Sequence, residues 1–404
     1  MIDLSIFFDI QENLINFLRT EHRRSLYDKI NWDSRLIGLI GNRGTGKTTL
    51  LLQYLAGLAG ERSKFLYLSA DHIRVEAIGI YDIASQFFKM GGMVLIIDEI
   101  HKYRNWPLEV KNLYDAFPNT RILFSGSSSL ELQLSKADLS RRAVFYTLPG
   151  LSFREYLLLT NFGNFPVVSF RELLDNNRHI ASSILKKGPV LGHFQDYLDY
   201  GVYPFFLEGK NEYIRKLQNV IEKVLYEDIS SSSAIRTSNI PLLKRILWLI
   251  ATSQPFEPNF QKMSRNLGLS KPTLYTYLDY LERAGLILFA MPAGRGAKLV
   301  RKPAKIYMGD TNLLRAAVET LVREDPLGTR RETFCCHQLK SAGLLVRVPE
   351  QGDFLVENRF LFEVGGRSKG KRQIATSKDA YLVRDDIDCG FGNIIPLWML
   401  GMLY

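Results

Sequence analysis

The chain has 404 residues, 46% of them hydrophobic and 23% charged, and carries a formal charge of +10. That apolar share excludes a disordered chain, the length fits two to three domains, and the positive balance fits an anionic partner while saying nothing about fold. Three cysteines, two of them adjacent (Cys335, Cys336), supply neither a disulfide framework nor a C-x-x-C zinc spacing. No apolar run reaches the roughly 18 residues of a membrane span, so a soluble cytoplasmic protein is expected.

Residues 1 to 30 read as an amphipathic helix with Ile6, Phe7, Ile10, Leu14, Phe17 and Leu18 on one stripe. It passes into a basic patch, His22, Arg23 and Arg24, of the kind usually found on a solvated face. Arg35 to Ile40 then reads as a buried strand that runs into Gly41, Asn42, Arg43, Gly44, Thr45, Gly46, Lys47, Thr48 and Thr49. This stretch fits the G-x-x-x-x-G-K-[ST] pattern of a phosphate-binding loop. Glycines let the backbone curl until successive N–H groups face phosphate oxygens at the positive end of the following helix. Lys47 is placed to reach the β- and γ-phosphates of ATP, and the Thr48 hydroxyl to ligate Mg²⁺. Leu50, Leu51, Tyr54, Leu55 and Leu58 follow at helical spacing.

Lys64 to Ser69 reads as a second strand, and Met93 to Ile97 as a third that ends in Asp98 and Glu99. A continuous apolar run of this kind suits a parallel sheet covered on both faces, whose strand ends carry the ligand. Asp98 is therefore expected to hold Mg²⁺ and Glu99 to polarise the attacking water. A fourth strand, Arg121 to Ser125, leads into Gly126 and the serines 127 to 129. Two readings stand there: Ser127 as a sensor of the γ-phosphate, or a turn rich in serine because serine bonds its own backbone. A fifth strand, Ala143 to Leu148, follows Arg141 and Arg142. One of these arginines, with Arg142 preferred, would neutralise phosphate charge in its own chain or across a homo-oligomer interface; the alternative is a plain surface pair.

The set GNRGTGKTT, LIIDEIHKYRNWP, ILFSGSSS and LPGLSFREYL resembles the prokaryotic branch of the AAA superfamily whose members carry an uncharacterised C-terminal domain. The resemblance implies an ATP-binding core with strand order 5-1-4-3-2, a helical lid, a winged helix and a nuclease-like C-terminal fold. The chain departs from that pattern at Ser140-Arg141-Arg142, where Gly-Arg is usual.

Leu151 to about Ser238 reads as helical. Tyr197 to Phe206 (YLDYGVYPFF) stands either as a lid segment near the adenine or as a helix-breaking turn in the core, and Ser230 to Ser233 mark a linker. Leu242 to Ala251, Phe260 to Leu267 and Thr273 to Ala284 read as three helices, the last capped by Ser270. Two strands, Leu286 to Met291 and Lys298 to Ile306, complete the pattern of a winged helix-turn-helix. This stretch is rich in Lys and Arg, and such a module would put Lys271, Thr273, Tyr275 and Thr276 near a DNA major groove, with Arg295 in the wing reaching phosphate or minor groove and Arg301 and Lys302 as further DNA contacts. A protein-docking role is the competing reading.

The remainder resembles the PD-(D/E)XK nuclease fold through Glu332, Asp353 and Glu363. Gly365 stands where active members have the lysine that activates water. Lys369 or Lys371 would have to substitute, and otherwise the fold serves as a scaffold. The chain is thus expected to be α/β: an N-terminal helix (1–30), a P-loop parallel-sheet ATPase core (31–150), a helical lid (151–238), a winged helix-turn-helix (239–310) and a small nuclease-like α/β domain (311–404).

Overall fold

Apolar residues on both faces of a strand require cover on both sides, and the first sheet obeys this strand by strand. After helix α1 (Ser5–Asn16), the chain forms β1 (Leu36–Gly41), α2 (Lys47–Gly57), β2 (Phe65–Ser69), α3 (Ile73–Ile78), α4 (Ile80–Lys89), β3 (Val94–Asp98), α5 (Trp106–Ala116), β4 (Arg121–Ser127) and β5 (Val144–Thr147). The five strands are all parallel, in the order β2-β3-β4-β1-β5, which is the expected order read from the opposite edge. Ile37 and Leu39 pack on one side with Leu51 and Leu55 of α2. Leu36 and Ile40 pack on the other with Ile83 and Phe87 of α4 and Val110 of α5. Alternation along one strand thus serves two cores.

This computed structural model describes residues 2–127, 139, 141–229, 237–253, 257–294, 302–319, 327–368, 370 and 379–404. The chain divides into two compact units, Met1–Pro149 and Gly150–Tyr404. The N-terminal helix is shorter than expected, and the proposed stripe breaks: Phe7 is buried whereas Phe17 is 89% exposed. In place of more apolar cover, buried Gln11 accepts the Tyr67 N–H at 2.8 Å and occupies a donor on edge strand β2.

In the second unit, helices α6 (Phe153–Leu159), α7 (Phe170–Leu185), α8 (Leu191–Tyr200) and α9 (Tyr213–Lys223) make the expected helical stretch. The turn at 201–206 is a core feature: Tyr203 and Phe206 are buried, and the buried side chain of Asn312 accepts the Val202 N–H at 2.8 Å. Three more helices, α10 (Ile240–Thr252), α11 (Phe260–Leu267) and α12 (Lys271–Arg283), precede an antiparallel pair, β6 (Ile287–Pro292) and β7 (Lys305–Met308). Helices α13 (Thr311–Val318) and α14 (Leu327–Ser341) follow, then β8 (Val346–Val348), β9 (Phe354–Val356), β10 (Phe360–Gly365), β11 (Ala380–Arg384) and β12 (Ile394–Pro396).

The boundary expected at 310 falls inside a continuous seven-stranded sheet of order β12-β11-β10-β9-β8-β6-β7, because β6 pairs in parallel with β8 at Met291 and Arg347. The serine linker at 230–233 lies outside the described residues. Among the described residues no helix is long and apolar enough to cross a membrane.

Candidate active site

The loop between β1 and α2 is shaped by three glycines. A Cβ on Gly41 would run into the carbonyl oxygen of Leu148, and Gly44 and Gly46 have φ of 84° and 94°, which side chains disfavour. Thr45 is buried and closes the curl, its N–H and hydroxyl both donating to the Asn42 carbonyl at 3.3 and 2.8 Å. Lys47 opens α2 and lies along the loop, donating to the carbonyls of Gly41 at 2.9 Å and Asn42 at 3.1 Å. Asn42 and Arg43 are half-buried on the loop, and Thr49 is exposed on the first turn of α2.

At the end of β3 the buried carboxylate of Asp98 collects three hydroxyls. Thr48 donates to its Oδ2 at 2.6 Å, Tyr67 donates to the same oxygen at 2.9 Å, and Ser125 donates to Oδ1. Burial, with Asp98 alongside, pushes the Tyr67 phenol well above its ordinary range, so Tyr67 acts only as a donor here. Neither Tyr67 nor Ser125 is marked as a site residue by the sequence pattern alone. Ser125 follows Phe124, which pairs with Ile97, so strand adjacency brings it level with Asp98. Without the strand order a lone serine in an apolar run carries no such signal.

Glu99 follows with φ 51° and ψ 37°, a left-handed conformation that costs a non-glycine residue about 1–2 kcal/mol. Its N–H donates to the Ser125 hydroxyl at 3.2 Å and to Asp98 Oδ1 at 3.1 Å. The backbone is thereby held in the strained form, and the Glu99 side chain stays 23% exposed, 3.6 Å from Nε2 of His101.

Hard oxygen donors suit Mg²⁺, which takes one or two protein ligands and fills its shell with water and phosphate oxygens. A hydroxyl and a carboxylate 2.6 Å apart fit that requirement. Among the described residues no group of three or more His, Cys, Asp or Glu could form an all-protein metal cage.

Two other site residues fall at opposite ends of the sheet. Ser127 pairs with Gly41 through its backbone, at the loop end of the sheet, and its side chain lies outside the described residues, as do Ser128 and Ser129. Arg142 precedes β5, whose Val144 pairs with Ile37 and Thr147 with Ile40. It therefore stands at the opposite end of the strands, about 20 Å from Gly41 at ~3.3 Å per residue. There its guanidinium grips Asp115 through Nε at 3.1 Å, so within its own chain Arg142 is not directed at the loop.

In the second unit the acidic residues Glu332 and Asp353 come together, joined by a lysine that the sequence groups with the basic stretch of the winged helix. Lys305 of β7 donates to Glu332 Oε2 at 3.0 Å and lies 3.6 Å from Asp353 Oδ1. The Tyr307 hydroxyl adds a bond to Glu332 at 2.6 Å, and the Val364 N–H donates to Asp353 at 2.8 Å. Glu363 is buried on β10, which ends at Gly365. Lys369 and Lys371 lie outside the described residues. Among the basic residues assigned to DNA, Lys271 and Lys302 are exposed and line one cavity with Asn259 and Phe260. Arg295 and Arg301 lie outside the described residues.

Residues 33–157 match the model of the AAA domain family, and residues 191–324 match that of a domain of unknown function. The AAA match takes in all five strands of the first sheet and the loop between β1 and α2. An uncharacterized protein of Methanocaldococcus jannaschii (MJ1637) is 32% identical over 296 residues, covering 68% of this chain and 61% of the archaeal protein. The chain thus spans less than two thirds of that relative. Similar solved structures include PCH-2 of C. elegans (TM-score 0.25, 22% identity, 40% of this chain and 47% of that one). Another is AMPPCP-bound DnaA from Aquifex aeolicus (0.23, 13%, 69% and 88%), and a third is katanin (0.25, 17%, 40% and 57%). Overlaps this loose carry no argument beyond the family match.

Proposed function

We propose that the first unit binds and hydrolyses Mg·ATP. The observation that carries this reading is the shared contact of Thr48 and Asp98 beside a loop whose lysine lies along its own curl. In this reading the loop amides from Asn42 to Thr48 and the Lys47 ammonium hold the triphosphate, and Thr48 and Asp98 hold the ion. The ion would neutralise charge between the phosphates. Glu99, presented from a strained backbone and partly open to solvent, orients the attacking water and takes its proton. Ser127, whose backbone pairs with Gly41 at the loop end of β4, is assigned the role of γ-phosphate sensor. Arg142, paired with Asp115, is read as a surface ion pair unless it serves as a finger to a second copy of the chain.

A second part of the reading concerns DNA. Three helices followed by an antiparallel pair give the element order of a winged helix-turn-helix. Lys271, on the first turn of α12, and Lys302 present two exposed cations on one wall, with the Lys302 ammonium 5.8 Å from the Phe260 ring centroid. This surface suits duplex phosphates. The acids Glu332 and Asp353 are read as an internal ion pair with Lys305, and not as a nuclease centre.

One assay tests both parts. Wild-type protein releases phosphate from Mg·ATP, and Glu99→Gln binds ATP but turns it over at least about a hundredfold more slowly. Equal rates in the two proteins would remove Glu99 from its role. In the same samples duplex DNA binds with an affinity that falls steeply with salt, and Lys271→Glu with Lys302→Glu flattens that slope. Binding indifferent to the double charge reversal would favour a protein partner.

A further inference from the structure

The basic patch after α1 is not a plain solvated face. The half-buried guanidinium of Arg24 donates from Nη1 to the Thr45 carbonyl at 2.6 Å and from Nη2 to the Pro149 carbonyl at 2.8 Å. Thr45 lies inside the phosphate loop, and Pro149 is the last residue of the first unit. We propose that Arg24 is a positioning residue of the nucleotide site, which aims the loop amides by holding the loop's outward carbonyl. The inference rests on the reading of Gly41–Thr48 as a phosphate-binding loop.

The argument is one of peptide geometry. In a planar trans peptide the C=O of one residue and the N–H of the next point in opposite directions. Fixing the Thr45 carbonyl on Arg24 therefore fixes the Gly46 N–H on the far side of the loop, toward the cradle. Gly46 needs that help, because a glycine at φ 94° has no side chain to hold its orientation. A cation behind the loop also opposes the outward carbonyl dipoles and adds positive potential where phosphate binds. The guanidinium's fixed fork reaches two carbonyls at once, which a lysine ammonium does less well.

The second arm of the fork grips the strand that leaves β5. Leu148 is already pressed on Gly41, and its N–H donates to the Ile40 carbonyl at 2.7 Å. The loop is thus held at its start by Leu148 and near its end by Arg24, and both holds converge on residues 148 and 149. A nucleotide-driven shift of the Thr45 peptide is felt directly at Pro149.

Titration with a fluorescent mant-ADP, alongside steady-state ATP hydrolysis, tests this in the full chain. Wild type binds and Lys47→Ala does not. Arg24→Ala loses about tenfold or more in ADP affinity, with a rise in the KM for ATP that outweighs any fall in kcat, and Arg24→Lys loses less in the same direction. Arg24→Ala binding ADP as wild type does, or a fall in kcat at unchanged KM, overturns the proposal while leaving the nucleotide reading intact. Failure of the wild type to bind overturns both. If Arg24→Ala does not melt cooperatively, Arg24→Lys carries the test alone, and wild-type affinity in it overturns the proposal.

Discussion

Asp310 shows how one buried carboxylate ties stability to pH. It caps α13, accepting the Leu313 N–H at 2.8 Å, and it takes the Tyr203 hydroxyl at 2.8 Å while only 2% exposed. Burial raises its carboxyl from 3.8 to about 6, against the pull of those hydrogen bonds. A folded value above the unfolded one means that the folded chain holds the proton more tightly. Asp310 therefore favours the fold in acid, and that contribution is lost as pH rises from about 4 through about 6. At 1.36 kcal/mol per unit the loss is about 3 kcal/mol. Asp310→Asn keeps a capping oxygen and removes the titration. Urea unfolding at pH 4.5 and pH 7 should show the variant gaining on wild type by about 2 kcal/mol between the two, and a parallel pH response would contradict the assignment. At this scale the sequence shows residues whose chemistry demands a fixed local spacing: Gly41, Gly46, Lys47 and Thr48 in one run, and Asp98 and Glu99 at a strand end. Tyr67, Ser125 and Arg24 reach the site from other parts of the chain, and no local pattern announces them.

Among the elements, the β6/β7 pair gives the clearest case of tertiary structure overriding a local reading. Its strands have the spacing of a wing, yet they continue the sheet of the C-terminal strands, and Lys305 reaches from β7 to the acids of α14 and the β9 turn. Burial alone would lower the Lys305 ammonium, but Glu332 and Asp353 together hold it above its ordinary value. The three side chains are only 10%, 10% and 16% exposed, so removing the cation strands two carboxylates in a poorly hydrated space. Lys305→Met is expected to cost about 3–5 kcal/mol in chemical denaturation, and Glu332→Gln added to it should recover part of that loss. A cost below about 1 kcal/mol would mean that the pair does not bind the elements together. Long apolar strands and capped helices were legible in advance because periodicity is local. The boundary expected at 310 was not, because sheet continuity depends on a pairing of residues far apart in sequence, Met291 with Arg347.

For the whole molecule, the +10 charge and the two compact units are what the proposed division of labour rests on. Residues 33–157 match the AAA domain family, and the second unit carries exposed lysines at 271 and 302, which we propose as its polyanion contacts. Catalysis in the proposed site would come from position and electrostatics: amides and an ammonium fixed before the triphosphate arrives, the Asp98 carboxylate fixed by hydroxyls from α2, β2 and β4, and the Glu99 backbone fixed beside it. The central claim is that this pocket grips Mg·ATP through Lys47. Calorimetric titration of Mg·ATP into wild type and Lys47→Ala tests it most directly: wild type should bind one nucleotide per chain and the variant none, whereas equal binding by both, or none by wild type, would contradict it.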